Sequence, residues 1–429
     1  MENLQEENGG KTLAKPLGTS DRPLRFQGLS EADQCVHCGL CLPHCPTYGW
    51  HGVEGDSPRG RLTLMQGLAQ GHLDPEAPRL RSHLEGCLGC RSCEAVCPAR
   101  VPFGALIDRA REILDEQPGA APHRGRWQRR LQQRALRQPF LRTLGGLTAR
   151  AGARLGAERL LPDGPWKRSL AHTRDSLAPS PRLGPAARDE EADLLLFTGC
   201  MDRFFTGPDL EAALEVLTAL GARVAIPRGQ ACCGALDQHT GRLSAAQALR
   251  RRNIEAFGAA DTRPVVALDS GCEATLREYP DTALATRALS LTRFLAERLK
   301  TGGADIWTDT PVRIALHLPC TQRNVTREAR DLPGLLGQLP GVTLVAVDAA
   351  PNCCGAGGTA MLTQPAMADA LGRATLDALT ADTPELIISP NVGCSVHLRA
   401  LGAAQADGPP ILSPARFLAS RLAQRQSRR

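Results

Sequence analysis

Long apolar runs are missing from this 429-residue sequence. No stretch approaches the eighteen or more apolar residues of a membrane-spanning helix, so we expect any membrane contact to be peripheral or through a partner. The first fifteen residues are polar, contain three glutamates and lack the apolar centre of a secretory signal. We therefore expect a cytoplasmic protein, with peripheral contact at the inner face of the cell membrane left open.

Strong charge and nucleotide-binding glycine motifs are missing as well. The formal net charge is +6, and only four of the 51 basic residues are lysine, a skew that fits genomic base composition. A charge this modest gives no sign of nucleic-acid binding. No Gly-x-Gly-x-x-Gly pattern follows a strand, so the chain has no evident flavin or nicotinamide site. Substrate chemistry would therefore need a partner.

Cysteine, by contrast, is abundant, and all sixteen residues belong to motifs. Eight of them form two copies of C-x2-C-x2-C-x3-C-P. This spacing is typical of bacterial two-cluster ferredoxins, in which three close cysteines hold one [4Fe-4S] cluster and the fourth ligates the other cluster. Thiolate ligands of this kind fit a reducing cytosol. The predicted ligand sets are Cys35, Cys38, Cys41 and Cys97 for the first cluster, and Cys87, Cys90, Cys93 and Cys45 for the second.

Zinc and a disulfide framework are the alternatives for these eight cysteines. Zinc sites place pairs of C-x2-C knuckles around one tetrahedral ion, which leaves the extra cysteines of each motif unused. The spacing therefore favours two iron-sulfur clusters.

Residues between and after the motifs predict connecting helices. Residues 56–61 predict a turn before a helix, and another helix is expected from Val101 to Pro118. Arg59 and Arg61 would offset the charge of a reduced cluster, contact an acidic partner, or belong to a solvated turn.

Residues 117–189 are predicted to form an Arg-rich helical connector. The segment 124–168 contains eleven arginines, with leucines spaced loosely at helical period. Such a helix would rest on anionic lipid or an acidic subunit, or present a solvated charged face.

The second half of the chain is an internal repeat. Three cysteine positions recur with offsets of 120 to 122 residues, and such constant spacing indicates duplicated domains. The first copy contains Cys200, Cys232, Cys233 and Cys272, and the second contains Cys320, Cys353, Cys354 and Cys394.

Short apolar segments lead into these cysteines and predict parallel strands. Helical stretches such as 210–220 and 366–379 alternate with them, so each copy is predicted to be a small parallel α/β unit. Ligands of such sheets gather at the carboxyl ends of the strands, where the cysteines fall. The predicted strands are Leu194–Phe197, Val224–Ile226, Val265–Leu268, Ile314–Leu316, Val345–Val347 and Leu386–Ile388.

Each Cys-Cys-Gly sequence limits the chemistry of its site. Adjacent cysteines do not readily place both sulfurs on one tetrahedral metal, whereas an open or multinuclear cluster can use both. Catalytic disulfide chemistry is the competing interpretation, although it leaves the flanking single cysteines without a role. Gly234 and Gly355 are expected to let the backbone approach a bulky ligand.

Taken together, these motifs resemble the iron-sulfur subunits of glycolate oxidase over nearly the whole chain. Similar architecture occurs in the iron-sulfur subunit of anaerobic glycerol-3-phosphate dehydrogenase and in the catalytic part of heterodisulfide reductase. The matching pieces are Cys35-Val36-His37-Cys38-Gly39, Cys45-Pro46-Thr47-Tyr48, Pro58-Arg59-Gly60-Arg61, Cys232-Cys233-Gly234-Ala235 with Asp237 and His239, Ser270-Gly271-Cys272 with Glu278-Tyr279, Pro319-Cys320-Thr321, and Asn391-x-Gly393-Cys394-x-x-His397-Leu398.

One departure from the heterodisulfide reductase pattern matters. In those relatives each Cys-Cys-Gly domain ends in C-x2-C and can hold a noncubane [4Fe-4S] cluster, whereas Thr275 and His397 stand at the second cysteine here. This departure disfavours disulfide reduction and fits the glycolate oxidase type. His397 is either a metal ligand in place of the cysteine or a hydrogen-bonding residue. A noncubane cluster or metal held by the eight repeat cysteines stays open.

The resemblance implies a fold, an activity and partners. The fold class is α+β and α/β, with an N-terminal helical dicluster ferredoxin-like domain at 1–116, whose motifs span about 26–55 and 78–107. The connector and two Cys-Cys-Gly domains follow, at 190–305 and 306–429. A flavin-binding subunit would oxidise glycolate to glyoxylate, an oxidoreductase reaction on a CH–OH donor. This chain would carry the electrons toward a quinone or other membrane acceptor.

Two other functions follow from the same features. The first keeps electron transfer but changes the substrate to glycerol 3-phosphate or D-lactate. The second is a free-standing thiol-disulfide reductase.

Overall fold

The computed structural model describes residues 28–116, 151–152, 155, 167–168, 170, 191–201, 206–280, 282–300, 306–347, 353–403 and 408–423. The first fifteen residues lie outside these ranges, and so does most of the predicted Arg-rich connector. Within them, no helix combines the length and the apolar character that crossing a bilayer requires.

Short helices make up the N-terminal part, and proline begins several of them. Pro46, Pro58 and Pro78 each occupy a first helical position, where the missing N–H would have no helical partner. The Ser57 side chain caps the second of these helices by accepting from the Gly60 N–H. The α-helices are Pro46–His51, Pro58–Ala69, Pro78–Glu85, Ser92–Ala95 and Phe103–Glu116, with 3-10 turns at Ser30–Gln34, Leu42–His44 and Glu54–Asp56.

The helix from Pro58 corrects one detail of the predicted turn at 56–61. Because Ser57 is the cap, Arg59 and Arg61 belong to the first helical turn. Its apolar residues Leu62, Met65 and Leu68 follow at spacings of three and are buried. They pack in one core with the buried face of Phe103–Glu116, and this core lies against the cysteine loops.

Two four-stranded parallel sheets form the rest of the fold. In the first, β1 (Leu194–Phe197), β2 (Val224–Ala225), β3 (Val265–Ala267) and β4 (Ala288–Ser290) lie in the order β2-β1-β3-β4. The second has the same plan, in the order β6-β5-β7-β8. Its strands are β5 (Val312–Leu316), β6 (Val342–Val347), β7 (Leu386–Ile388) and β8 (Ile411–Leu412).

Helices connect the strands of both sheets. Such crossovers are what parallel pairing requires. The first sheet carries Gly207–Ala219, Ala235–Gln238, Leu243–Phe257, Ser270–Arg277, Ala283–Arg287 and Leu291–Leu299. The second carries a π-helical turn Thr321–Thr326 and the helices Asp331–Leu336, Ala360–Thr363, Pro365–Thr380, Val392–Gly402 and Pro414–Ser420.

This architecture confirms the predicted fold class, a helical ferredoxin-like part followed by two parallel α/β units. The two sheets share one apolar core, in which Leu194 and Leu196 of the first join Ile314 and Leu316 of the second. The helix Pro414–Ser420 packs on Gly207–Ala219 across the repeats. The cysteine-bearing ends of both sheets are therefore held in a fixed relation.

Candidate metal centres

The two ferredoxin-type motifs fold into matching loops. In the first, His37 (φ 54°) and Gly39 (φ 81°) flank the middle cysteine, and in the second Gly89 (φ 65°) and Arg91 (φ 57°) take the corresponding positions. Two left-handed residues around one cysteine reverse the chain sharply. Each motif thereby brings its three close cysteines to the wall of one cavity.

The fourth cysteine of each motif lies with the other motif. One cavity is lined by Cys35, Cys38, Cys41 and Cys97, and also by Cys93. The other is lined by Cys45, Cys87, Cys90 and Cys93. Each cavity thus contains all four cysteines of one predicted ligand set, and Cys93 lines both cavities. The assignment of ligands to clusters stays a prediction, and so does the presence of a cluster in each cavity.

The chemistry of these cavities fits thiophilic metal clusters. All eight thiols are free of disulfides. Burial raises the pKa of Cys41, and burial with neighbouring thiols raises the pKa values of Cys90 and Cys93 well above the usual range for a thiol. Sulfur ligands bind as thiolates, so cluster binding here has to displace protons from groups that hold them tightly. Each cavity offers at least the four sulfurs that a [4Fe-4S] cluster needs.

Arg61 is buried beside the second cavity instead of lying in a solvated turn. Its guanidinium donates to Thr47 Oγ1 (2.8 Å), to the His83 carbonyl (2.7 Å) and to the backbone and side chain of Asp56. Thr47 in turn lies 3.2 Å from Cys45 Sγ. A fixed cation therefore stands close to the cysteine that crosses between the motifs.

Arg59 has a different environment. It pairs with Glu54 (2.6 Å) at the surface and lines the first cavity, where its Nη1 donates to the His37 carbonyl (3.4 Å). Because this pair is exposed, it adds little to stability. Its charge is placed to act on the first cavity or on a partner.

A second buried guanidinium holds the loop at Cys87. Arg111 donates to the carbonyls of Leu84 (3.1 Å), Glu85 (3.2 Å) and Cys87 (2.6 Å), and also to that of His239 in the first repeat (2.8 Å). Positive charge and donated hydrogen bonds near a cluster raise its reduction potential. Arg111 was not among the residues predicted from sequence, because nothing in its local pattern distinguishes it from other helix arginines.

In the first repeat, three strand ends bring Cys200, Cys232, Cys233 and Cys272 to one edge of the sheet. Contacts with Cys232 and Cys272, together with burial, raise the pKa of Cys233 well above its ordinary value. Tyr279 donates to the Cys233 carbonyl (2.8 Å) and fixes this loop. Thr275, at the position of the missing cysteine, donates to Gly271 O (2.8 Å) within its own helix.

The second repeat gathers its cysteines more tightly. Cys354 Sγ lies 2.8 Å from Cys394 Sγ, and Cys394 is in the first turn of Val392–Gly402, where Asn391 caps its N–H (3.0 Å). Burial and the neighbouring Cys353 raise the pKa of Cys320 to about 12. An uncharged thiol set of this kind is poised to bind metal with release of protons.

Histidine reaches this site from an unexpected strand. His397 is fully buried, but its Nε2 lies 3.0 Å from the Ala368 carbonyl, which favours the hydrogen-bonding alternative. His317, at the end of β5, instead lies with Cys354 and Cys394, the ligand atoms all within 4.8 Å of one another. Burial lowers the pKa of His317 to about 3, so the imidazole is neutral. Sequence alone could have singled out His317 by alignment of the two repeats, because Phe197 stands at the matching position of the first repeat.

The Cys-Cys-Gly glycines serve the backbone more than a ligand. Gly355 has φ 83°, and a Cβ there would overlap the Ala368 carbonyl. Gly234 has φ 94°, with Ala246 at 3.4 Å from the corresponding Cβ. The left-handed turn explains both residues, and the close approach of the following helix adds a second reason at Gly355. That they let the backbone approach a bulky ligand stays a prediction.

The second ferredoxin cavity abuts the second repeat. Cys90 and Leu88 share one buried cluster with Cys353 of the repeat, and Cys320 packs at its border. Asn324 locks this junction by donating to the Cys90 carbonyl (2.7 Å) and to Ser92 Oγ (3.1 Å). The first repeat meets the N-terminal part through polar contacts, among them Asp108 with His239 and Arg91 with Glu278.

Comparison with known proteins agrees with this division of the chain. Residues 31–101 match the model of the 4Fe-4S dicluster domain, and residues 194–277 and 314–399 match that of the cysteine-rich domain. A probable glycolate oxidase iron-sulfur subunit of Bacillus subtilis (strain 168) is 31% identical over 398 residues, which cover 85% of this chain and 88% of the relative.

Two further relatives also match most of this chain. The glycolate oxidase iron-sulfur subunit of Escherichia coli (strain K12) is 30% identical over 403 residues, covering 91% of this chain and 95% of that protein. A subunit of the dihydromethanophenazine:CoB–CoM heterodisulfide reductase of Methanosarcina barkeri is 26% identical over 380 residues, covering 82% of this chain and 84% of that subunit.

Proposed function

The chain belongs to the family of glycolate oxidase iron-sulfur subunits, and from this premise we propose that it carries electrons from a flavin-binding partner that oxidises glycolate to glyoxylate. The final acceptor in this proposal is a quinone or another membrane component. The absence of a nucleotide-binding glycine motif supports a separate flavin subunit.

Two [4Fe-4S] clusters are the proposed cofactors of the N-terminal part. The first would be held by Cys35, Cys38, Cys41 and Cys97, and the second by Cys87, Cys90, Cys93 and Cys45. When bound, such clusters supply one-electron redox chemistry to a two-electron flavin reaction. The observation that supports this proposal is that Cys97 lines the cavity of the first motif and Cys45 lines that of the second.

The chain's own residues would set how these cavities work. Arg61 and Arg111 place buried positive charge beside the second cavity. This charge would favour the reduced state of a cluster held there. Cys38, together with the exposed side chains of Val36 and Leu40, leaves the first cavity open to a partner. The wall of the second cavity packs against the second repeat through Leu88 and Cys90. This asymmetry supports an arrangement in which the donor docks at the first cavity and the acceptor at the second repeat.

A runner-up keeps the role and changes the substrate. Lactate utilization protein A of Bacillus subtilis (strain 168) is 26% identical over 215 residues, which cover 47% of this chain. D-lactate or glycerol 3-phosphate would then replace glycolate. Thiol-disulfide reduction is the third function, and Thr275 and His397 in place of the last cysteines count against it.

The test is purification of the native complex from its own cells. We expect a flavin protein to accompany this chain, and the complex to reduce a quinone analogue with glycolate faster than with D-lactate or glycerol 3-phosphate. Preference for one of the other two substrates would move the proposal to the runner-up. A chain isolated alone that reduces disulfides would overturn it.

A further inference from the structure

We propose that the second Cys-Cys-Gly repeat holds a single transition-metal ion through His317, Cys354 and Cys394. One imidazole nitrogen and two sulfurs lie within 4.8 Å of one another at the carboxyl ends of three strands, and all three residues are buried. This site deepens the proposed function. The ion's role in electron transfer rests on that function, whereas its binding does not.

Neighbouring strands hold the histidine in place. The His317 backbone N–H donates to the Ile388 carbonyl (2.9 Å), and Ser389, the next residue on that strand, has its Oγ 3.0 Å from His317 Nδ1. Metal-binding histidines are usually oriented in this way, by a hydrogen bond to the ring nitrogen that does not bind the metal. Ser389 therefore fixes the ring and leaves Nε2 for the ion.

The two sulfurs lie close enough to share one ion. Cys354 Sγ and Cys394 Sγ are 2.8 Å apart as thiols. Two sulfurs at about 2.3 Å from one tetrahedral zinc ion stand roughly 3.8 Å apart, so we expect metal binding to separate them by about 1 Å. Cys320 and Cys353 lie alongside and offer further sulfur. A donor set of imidazole and thiolates suits zinc or iron, and magnesium and calcium are disfavoured because they prefer oxygen.

The first repeat is an internal comparison. Phe197 occupies the position of His317, and Ala267 occupies that of Ser389, as the strand pairings place them. Phe197 is buried against Phe257, with ring centroids 5.9 Å apart. The first repeat thus lacks both the histidine ligand and the serine that orients it. Among the described residues, the second repeat alone brings three such ligands close enough together for one ion.

The experiment measures zinc and iron per chain in the anaerobically purified full-length protein. His317→Phe, combined with Ser389→Ala, reproduces a residue pair with which the first repeat already folds. We expect this variant to lose about one metal ion per chain while the roughly eight irons of two N-terminal clusters remain. His397→Gln is the matched control and should keep the ion, because its imidazole is bound to Ala368 O.

Ser389→Ala alone gives a second readout that does not depend on removing the ligand. It should release the ion to a chelator with roughly 10–100-fold weaker affinity, the effect expected for loss of an orienting partner. X-ray absorption at the edge of the metal found should show mixed nitrogen and sulfur ligands in the wild-type protein.

Four outcomes would overturn the proposal: equal metal content in the wild type and the double variant, equal loss in His397→Gln, loss of several irons together, or a Cys354–Cys394 disulfide found by mass spectrometry. Because no substrate enters these measurements, they are independent of the proposed function. A native complex that ignores glycolate but binds the ion leaves the metal site standing.

Discussion

Cys45 and Cys97 are the residues on which the ligand assignment depends. Each belongs by sequence to one motif and lies in the cavity of the other. We expect Cys45→Ser to damage the cluster whose other ligands are Cys87, Cys90 and Cys93, and Cys97→Ser to damage the first. Electron paramagnetic resonance of the reduced variants distinguishes the two signals.

The pair of variants is its own control, because both replace the fourth cysteine of a motif just before a proline. Loss of the first cluster in Cys45→Ser, with the second intact, would show that each motif binds its own four ligands.

Arg61 and Arg59 differ in burial although they are two residues apart. Arg61→Met leaves Asp56 and the Thr47 hydroxyl without their buried partner, and we expect a loss of about 3 kcal/mol in unfolding free energy. Arg59→Met, whose pair with Glu54 is exposed, should change stability little. Urea unfolding of both variants is the measurement, and equal effects would contradict the distinction.

At the residue scale, the sequence supplies the cysteines but not all their neighbours. Spacing alone predicts the two ligand sets, and the structure places the cysteines of each set at one cavity. His317 was not predicted because it lies three residues before Cys320, outside the Cys-Cys-Gly pattern. The family pattern instead directs attention to His397, three residues after Cys394. Arg111 acts through backbone carbonyls from distant segments, and no local pattern encodes such contacts.

Single turns decide how the elements of the repeats fit together. The turn at Gly355 brings the Cys-Cys-Gly loop against the backbone of Pro365–Thr380, so Gly355→Ala should push Ala368 away and strongly destabilise the second repeat. Gly358→Ala is the control: its φ of 60° is also left-handed, but a Cβ there would meet nothing within 4 Å. This variant should cost about 1–2 kcal/mol, the penalty of the conformation alone.

Thermal unfolding of the two glycine variants gives the comparison. If Gly355→Ala were no worse than Gly358→Ala, the helix contact would not be what requires glycine.

Strands were predictable where an apolar run leads into a cysteine loop. Strands such as Leu194–Phe197 and Leu386–Ile388 form at the predicted residues, because continuous apolar runs mark strands buried on both faces. The outer strands β4 and β8, Ala288–Ser290 and Ile411–Leu412, were missed because neither leads into a cysteine. Length alone does not explain this, since Leu386–Ile388 is no longer than Ala288–Ser290.

The whole molecule is held together partly by charge. Asp108 and His239 pair between the N-terminal part and the first repeat, 3.1 Å apart. Burial opposes both charges, yet the pair overcomes it: the pKa of Asp108 is lowered, with help from Arg111, and that of His239 is raised, with a smaller contribution from Glu278. The contact is thus complete only when the carboxylate and the imidazolium are both charged.

This pairing predicts a pH window for stability. The raised pKa of His239 gives stability that is complete below about pH 6.5 and is lost as pH rises through the folded value. The lowered pKa of Asp108 gives stability present above about pH 4 and lost as pH falls through its folded value. His239→Gln should therefore lower the melting temperature most between these limits and least at alkaline pH. A difference that does not vary with pH would contradict this.

The two cavities have different surroundings: the first has the exposed Cys38 in its wall, while Cys90 in the wall of the second is buried with Cys353 of the second repeat. A donor and an acceptor therefore have separate faces to approach.

The most direct test of electron transfer is to add glycolate anaerobically to the purified native complex and record its electron paramagnetic resonance spectrum. The account predicts that glycolate alone produces the signals of reduced [4Fe-4S] clusters, and that a quinone analogue then removes them. A flavin reduced by glycolate beside clusters that stay oxidised would contradict it.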